Sequence, residues 1–250
     1  MTRLDPRFLE RPIAHRALHG MGRPENSVEA IEAACDAGYG IEIDLQLSAD
    51  GQAMVFHDYD LRRLTKATGA IRHHTADELR NIHLVGARSG IPTLPEVLDR
   101  IDGRVPLLIE IKDQDGGLGP KVGELEEATA EALKSYSGAV SVMSFNPHSI
   151  ARMASLCPDI ARGLTTCDYA KDDWPSATKD RLQELQKMED VTRLGCSFIS
   201  HDRRDLKNPR VADLKSQGIH VLCWTIRSAQ QEAEARTVAE NVTFENYAPA

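Results

Sequence analysis

The stretch Gly40-Ile41-Glu42-Ile43-Asp44-Leu45-Gln46-Leu47 decides the fold. Side chains alternate faces along a β-strand, so Ile41, Ile43, Leu45 and Leu47 share one face and Glu42, Asp44 and Gln46 the other. The apolar face suits packing under helices. In a barrel the other face points inward, where two carboxylates two residues apart repel each other. Burying each unpaired is costly. A divalent cation relieves that cost, and hard oxygen ligands suit Mg²⁺ or Ca²⁺. Taken alone, the stretch reads better as an amphipathic edge strand with solvated acids.

The same pattern recurs at Val105-Pro106-Leu107-Leu108-Ile109-Glu110-Ile111-Lys112. Val105, Leu107, Ile109 and Ile111 take one face; Leu108, Glu110 and Lys112 take the other. The acid again lies near the carboxyl end of its strand, where barrel active sites are built. Glu42, Asp44 and Glu110 therefore make a candidate metal site, with the Lys112 cation beside it.

Outward from these two stretches, short apolar runs alternate with helical ones, the pattern of a parallel α/β fold. Eight strands are expected, at Pro12–His15, Gly40–Leu47, Val105–Lys112, Ala139–Phe145, Ile160–Thr165, Gly195–Ser200, Ile219–Thr225 and Asn241–Phe244. A short extra strand is read at Ala53–His57. Ser27 is placed to cap the first helix and Gly38 to end it. LPEVLDRI, KVGELEEATAEALKSY, PHSIARMASL, KDRLQELQKM, NPRVADLKSQG and SAQQEAEARTVAE supply the others. Eight strands with intervening helices favour a closed (β/α)8 barrel of the TIM type. The whole chain, 1–250, is expected to form one domain. Asp58 to Pro92 is too long for an ordinary βα loop and is read as a small insertion at the barrel mouth.

Two histidines close apolar runs: His15 after Pro-Ile-Ala and His57 after Met-Val-Phe. Acid–base chemistry needs a base for a nucleophile and an acid for a leaving group, and histidine titrates in the range for both. The other seven carry less. His19 lies in the first loop, and His73, His74 and His83 lie in the insertion. His148 opens a helix, His220 starts a strand, and His201, ending the sixth strand, is the best of the remainder. The glycine-containing loops LHGMGRPE (18–25) and DGGLG (115–119) match no phosphate-binding pattern and read as flexible connections.

The 250 residues carry a formal net charge of −8 with a pI near 5.6. Long-range attraction to nucleic acid or to an anionic membrane is not expected. No run approaches the ~20 apolar residues of a membrane-spanning helix, so no stable membrane insertion is expected. The five cysteines are scattered and odd in number, and no leader-like apolar segment opens the chain; both point to reduced thiols in the cytoplasm.

The residues in order carry a resemblance. His15-Arg16, Pro24-Glu25-Asn26-Ser27, Glu42-Ile43-Asp44, Ser48-Ala49-Asp50-Gly51 and Val55-Phe56-His57-Asp58 are followed by Glu110-Ile111-Lys112, Ser144-Phe145, Trp224-Thr225 and Thr243-Phe244-Glu245-Asn246. The chain resembles the glycerophosphodiester phosphodiesterase family over nearly its whole length. The resemblance implies a barrel with a subdomain inserted after the second strand. It implies His15 and His57 as acid and base, and Glu42, Asp44 and Glu110 as ligands of one Mg²⁺ or Ca²⁺. Arg16 and Lys112 would hold the phosphate; Phe145 and Trp224 would line the substrate pocket. The implied reaction hydrolyses a glycerophosphodiester to sn-glycerol 3-phosphate and an alcohol. Ala17 stands where the family has glycine, Ser27 where threonine is commoner, and Ile226-Arg227 where Val-Asn is usual. Two rival readings use the same residues: a metal-dependent barrel lyase or aldolase acting on a phosphorylated small molecule, and a catalytically silent binding protein on the same barrel.

Overall fold

The computed structural model describes residues 2–249. Nine strands form one sheet: β1 (Ile13–Ala14), β2 (Gly40–Leu47), β3 (Ala53–Val55), β4 (Leu107–Ile111), β5 (Val140–Ser144), β6 (Ala161–Thr166), β7 (Phe198–Asp202), β8 (His220–Ile226) and β9 (Asn241–Phe244). Their order is β1-β9-β8-β7-β6-β5-β4-β2-β3, and a further β1–β2 pairing closes the ring. Eight strands are parallel. β3 alone runs antiparallel, folded back onto β2 through the turn Ser48–Gly51, with Leu45 opposite Val55. Gly51 takes φ 77 in that turn, a conformation costly for other residues. The barrel and its intervening helices are those expected from the alternation of apolar runs.

Helix starts follow local chemistry. The Ser27 side chain accepts from the Ala30 amide to open the helix Val28–Ala37, and Gly38 ends it at φ 70. Thr93 and Glu96 form a capping box at Leu94–Ile101, as Thr75 and Glu78 do at Ala76–Asn81. The outward faces of β2 and β4 join one large apolar cluster with the helices. Inside the barrel, Ile13, Leu108, Met143, Phe198 and Leu222 pack with Leu4 and Phe8 of the N-terminal segment and plug one end. Gly163 faces this interior; any side chain there would collide with the Phe198 ring at 2.5 Å.

The segment after His57 has a small apolar cluster of its own. Leu61, Ile71, Ala76, Leu79, Leu84 and Ile91 pack on Met54 and Phe56. The two glycine-containing loops are more ordered than their composition suggests. Asp113 accepts from the Gly116 and Leu118 amides, and Asp115 from Gly117, Gly119 and Lys121. Gly20 and Arg23 exchange both backbone hydrogen bonds across the tip of the first loop.

Candidate active site

Strand register assembles the acids. Asp44 on β2 lies directly beside Glu110 on β4, and Glu42 lies one inward position below Asp44. One carboxylate oxygen from each of the three lies within 4.8 Å of the other two. All three are buried. Asp44 also accepts from the Asn26 side-chain amide at 2.9 Å, and Glu42 from the Arg16 amide at 2.8 Å. The Lys112 ammonium reaches Asp44 at 2.7 Å and Glu110 at 2.5 Å.

The charges in this group do not balance. Burial pushes the Glu42 carboxyl well up, and the neighbouring Asp44 and Glu110 add to the effect. Burial acts the same way on Asp44, but Lys112, His57 and Arg16 together hold it well below the usual carboxylate range. Burial alone would lower the Lys112 amine; Asp44 and Glu110 outweigh that and raise it. Lys112 pairs with Asp44 and Glu110, and Arg16 Nε lies 3.5 Å from Asp44, while among the described residues no ion pair reaches Glu42. An all-oxygen, anionic donor set of this kind fits a hard divalent cation.

His15 follows β1 by one residue, and Glu245 follows β9 by one. Because Ala14 pairs with Phe244, the two side chains emerge side by side. His15 Nδ1 lies 2.6 Å from Glu245 Oε2. An ionised carboxylate can only accept, so Nδ1 carries the proton and Nε2 is left with a lone pair. Burial lowers the His15 pKa, opposed by Glu245. Burial would raise Glu245, but His15, His19 and Arg227 hold it well below its ordinary value. His57 lies two residues past the end of β3, in a bend rather than on the strand. Its Nδ1 is 2.6 Å from Oδ1 of the adjacent Asp58, and its backbone carbonyl accepts from Gln46 Nε2 at 3.0 Å. Its Nε2 is likewise the nitrogen left over.

All nine side chains singled out in the sequence line one cavity of about 180 Å³: His15, Arg16, Glu42, Asp44, His57, Glu110, Lys112, Phe145 and Trp224. Phe145 and Trp224 stand edge to face at 5.7 Å between ring centres, and Trp174 leans on Phe145 at 4.9 Å. His201 does not line this cavity. It is buried against Thr166 and Asp205 and ties β7 to the helical turn Arg203–Asp205. Arg227 does line it, with Nε 2.6 Å from Glu245 Oε1. Ala17 keeps a left-handed φ of 64. That costs alanine roughly 1–2 kcal/mol, which its buried methyl offsets by about 0.8 kcal/mol.

Several partners were not singled out from sequence. Asn26 and Glu25 lie in the quoted Pro-Glu-Asn-Ser motif, yet nothing local says that Asn26 braces Asp44 or that Glu25 pairs with Arg16 at 2.8 Å. Asp58 is legible, because it adjoins His57. Glu245 is not, because its contact with His15 spans 230 residues. Trp174 had no signal beyond its size.

The family model described as the glycerophosphoryl diester phosphodiesterase family matches residues 15–242. A glycerophosphodiester phosphodiesterase of Caldanaerobacter subterraneus is 33% identical over 163 residues, covering 61% of this chain and 65% of that protein. Glycerophosphodiester phosphodiesterase 1 of Bos taurus is 28% identical over 93% of this chain and 76% of its own length. Among solved structures, an Oleispira antarctica phosphodiesterase in complex with its product sn-glycerol-3-phosphate superposes with a TM-score of 0.79. It has 27% identity and covers 96% of this chain and 94% of that one. The matched span runs from His15, one residue past β1, to Val242 in β9 and takes in the acids of β2 and β4; the chain belongs to the glycerophosphoryl diester phosphodiesterase family and is an enzyme of that class.

Proposed function

We propose that the chain hydrolyses glycerophosphodiesters to sn-glycerol 3-phosphate and an alcohol, with His15 and His57 as the acid–base pair. One divalent cation, Mg²⁺ or Ca²⁺, would be held by Glu42, Asp44 and Glu110. The carrying observation is that each histidine has Nδ1 tied to a carboxylate and Nε2 left over, in the one cavity that also holds the three acids. A carboxylate on Nδ1 fixes the tautomer and steadies the imidazolium when Nε2 takes a proton. One histidine removes the proton of the nucleophile, water or the neighbouring glycerol hydroxyl. The other delivers a proton to the leaving oxygen. Bound in the triad, the cation supplies Lewis-acid stabilisation of charge on the phosphoryl oxygens. Arg16 and Lys112 add fixed positive charge for the phosphate.

Phe145 and Trp224 form the apolar wall of the cavity and are read as the surface against which the substrate lies. The segment 58–92 is read as a small cap on a chain that is otherwise one barrel domain. The product held by the Oleispira enzyme supports the substrate class. Release of glycerol 3-phosphate from a panel of glycerophosphodiesters, with and without EDTA, tests the whole reading. Metal-dependent release is expected. Turnover unaffected by verified metal removal would overturn the cation's role, and no turnover of any diester would overturn the substrate class. Replacing 58–92 by a short linker should change relative rates among headgroups; unchanged ratios would remove the cap from specificity.

A further inference from the structure

A second group of ligand-type side chains lies beside the acidic triad and shares no residue with it. One ligand-type atom from each of His15, His19 and Glu245 falls within 4.8 Å of the other two, and His15 Nδ1 and His19 Nε2 both face Glu245 Oε2. Two of the three are fixed by the barrel, where β1 and β9 end side by side. The third comes from the first loop, held by the His19 amide donating to the Ala17 carbonyl and by the Leu18 amide donating to Ala30. His19 Nε2 is buried and, among the described residues, has no partner at good hydrogen-bond geometry; Glu245 Oε2 stands 3.5 Å away. A buried ring nitrogen left without a hydrogen bond is costly and needs an explanation.

Two imidazoles and one carboxylate are the donor set of tetrahedral zinc sites, whereas the all-oxygen triad suits Mg²⁺ or Ca²⁺. Donors each ~2.0–2.1 Å from a tetrahedral ion stand about 3.4 Å apart. The His19–Glu245 separation of 3.5 Å already matches. The His15–Glu245 pair, at 2.6 Å, has to open by about 0.8 Å. Arg227 binds the other Glu245 oxygen, Oε1, and so leaves Oε2 for an ion.

We propose that His15, His19 and Glu245 form a second metal site, selective for Zn²⁺ over Mg²⁺ and Ca²⁺, and that its occupation inhibits the enzyme. The inhibitory part rests on the acid–base role proposed for His15; the binding part does not. With Nδ1 on the ion, Nε2 carries the only ring proton and the imidazolium cannot form. His15 can then no longer pass a proton between the nucleophile or leaving group and the solvent.

The test uses the full chain with its triad saturated by excess Mg²⁺, titrated with zinc chloride and followed by calorimetry and by activity. One Zn²⁺ per chain should bind to the wild type, and activity should fall with the same midpoint. His19→Gln should keep the uninhibited activity and bind that Zn²⁺ more than about tenfold more weakly, since even outer partners of a metal ligand are worth that much. Co²⁺ at the same site should give the intense visible absorption of a tetrahedral ion, absent in His19→Ala. Equal zinc binding and inhibition in wild type and both variants would overturn the site, by placing the zinc in the triad. So would wild-type enzyme that binds no zinc beside the saturated triad. If zinc binds as described and activity persists, the site stands, and it is the role of His15 that fails.

Discussion

The two histidines differ in what holds them. His15 sits on the barrel, 14% exposed, and its carboxylate partner arrives from the far end of the chain. His57 sits where the inserted segment begins, 30% exposed, and its partner is the very next residue. Behind Glu245 stands Arg227; behind Asp58 stands Arg63, which also bridges to Glu25 and so ties the insertion to the first loop. The same dyad is built twice, once from long-range barrel closure and once from local sequence. The barrel copy is the more buried of the two. The other is wetter and depends on a segment with a small core of its own.

The largest effect should fall on both copies equally. Removal of divalent cations, or Glu110→Gln, should bring glycerophosphodiester turnover to background while far-ultraviolet circular dichroism stays unchanged. Residual activity would mean that the histidines work without the triad. Next come the histidines themselves. His15→Asn and His57→Asn should each lower kcat by ~10²–10⁴-fold, with less than additive loss in the double variant. A p-nitrophenyl diester needs little protonation of its leaving group. It should rescue whichever single variant lacks the acid, and so show which copy is which.

The partners should separate the copies. Glu245→Gln should cost about tenfold to a hundredfold in kcat, the range for groups that fix a histidine's orientation. Asp58→Asn should cost less, because water can reach His57 and replace part of what is lost. Equal costs would erase the distinction between a buried and a solvated dyad. The smallest effect belongs to Arg63. With His57 it holds Asp58, and with Arg16 it holds Glu25, below the usual carboxylate range against the opposing effect of burial. Carboxylates lowered on folding stabilise the protein above their unfolded values near ~4, and that stability is lost as pH falls through the folded values. Arg63→Met should therefore lower Tm slightly at neutral pH, and the gap to wild type should close on acidification. Arg63 is half exposed, so the gap is small. A gap that widens in acid would show that these ion pairs do not hold the insertion.

Much of the site could be read along the chain because its chemistry is periodic. Alternation in 40–47 and 105–112 puts Glu42, Asp44, Glu110 and Lys112 on inward faces, and the structure keeps them there. The extra strand is present at Ala53–Val55, but its end before His57 was not readable, since Phe56 still donates its amide to the Asp44 carbonyl of β2 and the chain bends only at His57. The loop at 115–119 looked loose because glycines dominate it; its order comes from two aspartates that collect backbone amides. Arg227 was readable as a departure from the family's usual residue, though its engagement with Glu245 was not.

Local physics was enough for the alternation of strand and helix, the faces of β2 and β4, the caps at Ser27 and Gly38, and the chemical character of a site rich in acids with two strand-end histidines. Each of these follows from side-chain direction and hydrogen bonding within a few residues. Barrel closure was needed for the rest. The β1–β9 pairing sets Glu245 against His15, the β2–β4 register sets Asp44 beside Glu110, and the first loop swings Asn26 and His19 onto groups that lie far away in sequence. Such contacts depend on which strands become neighbours and in what register, and that is settled by the packing of the whole ring rather than by any one segment of it.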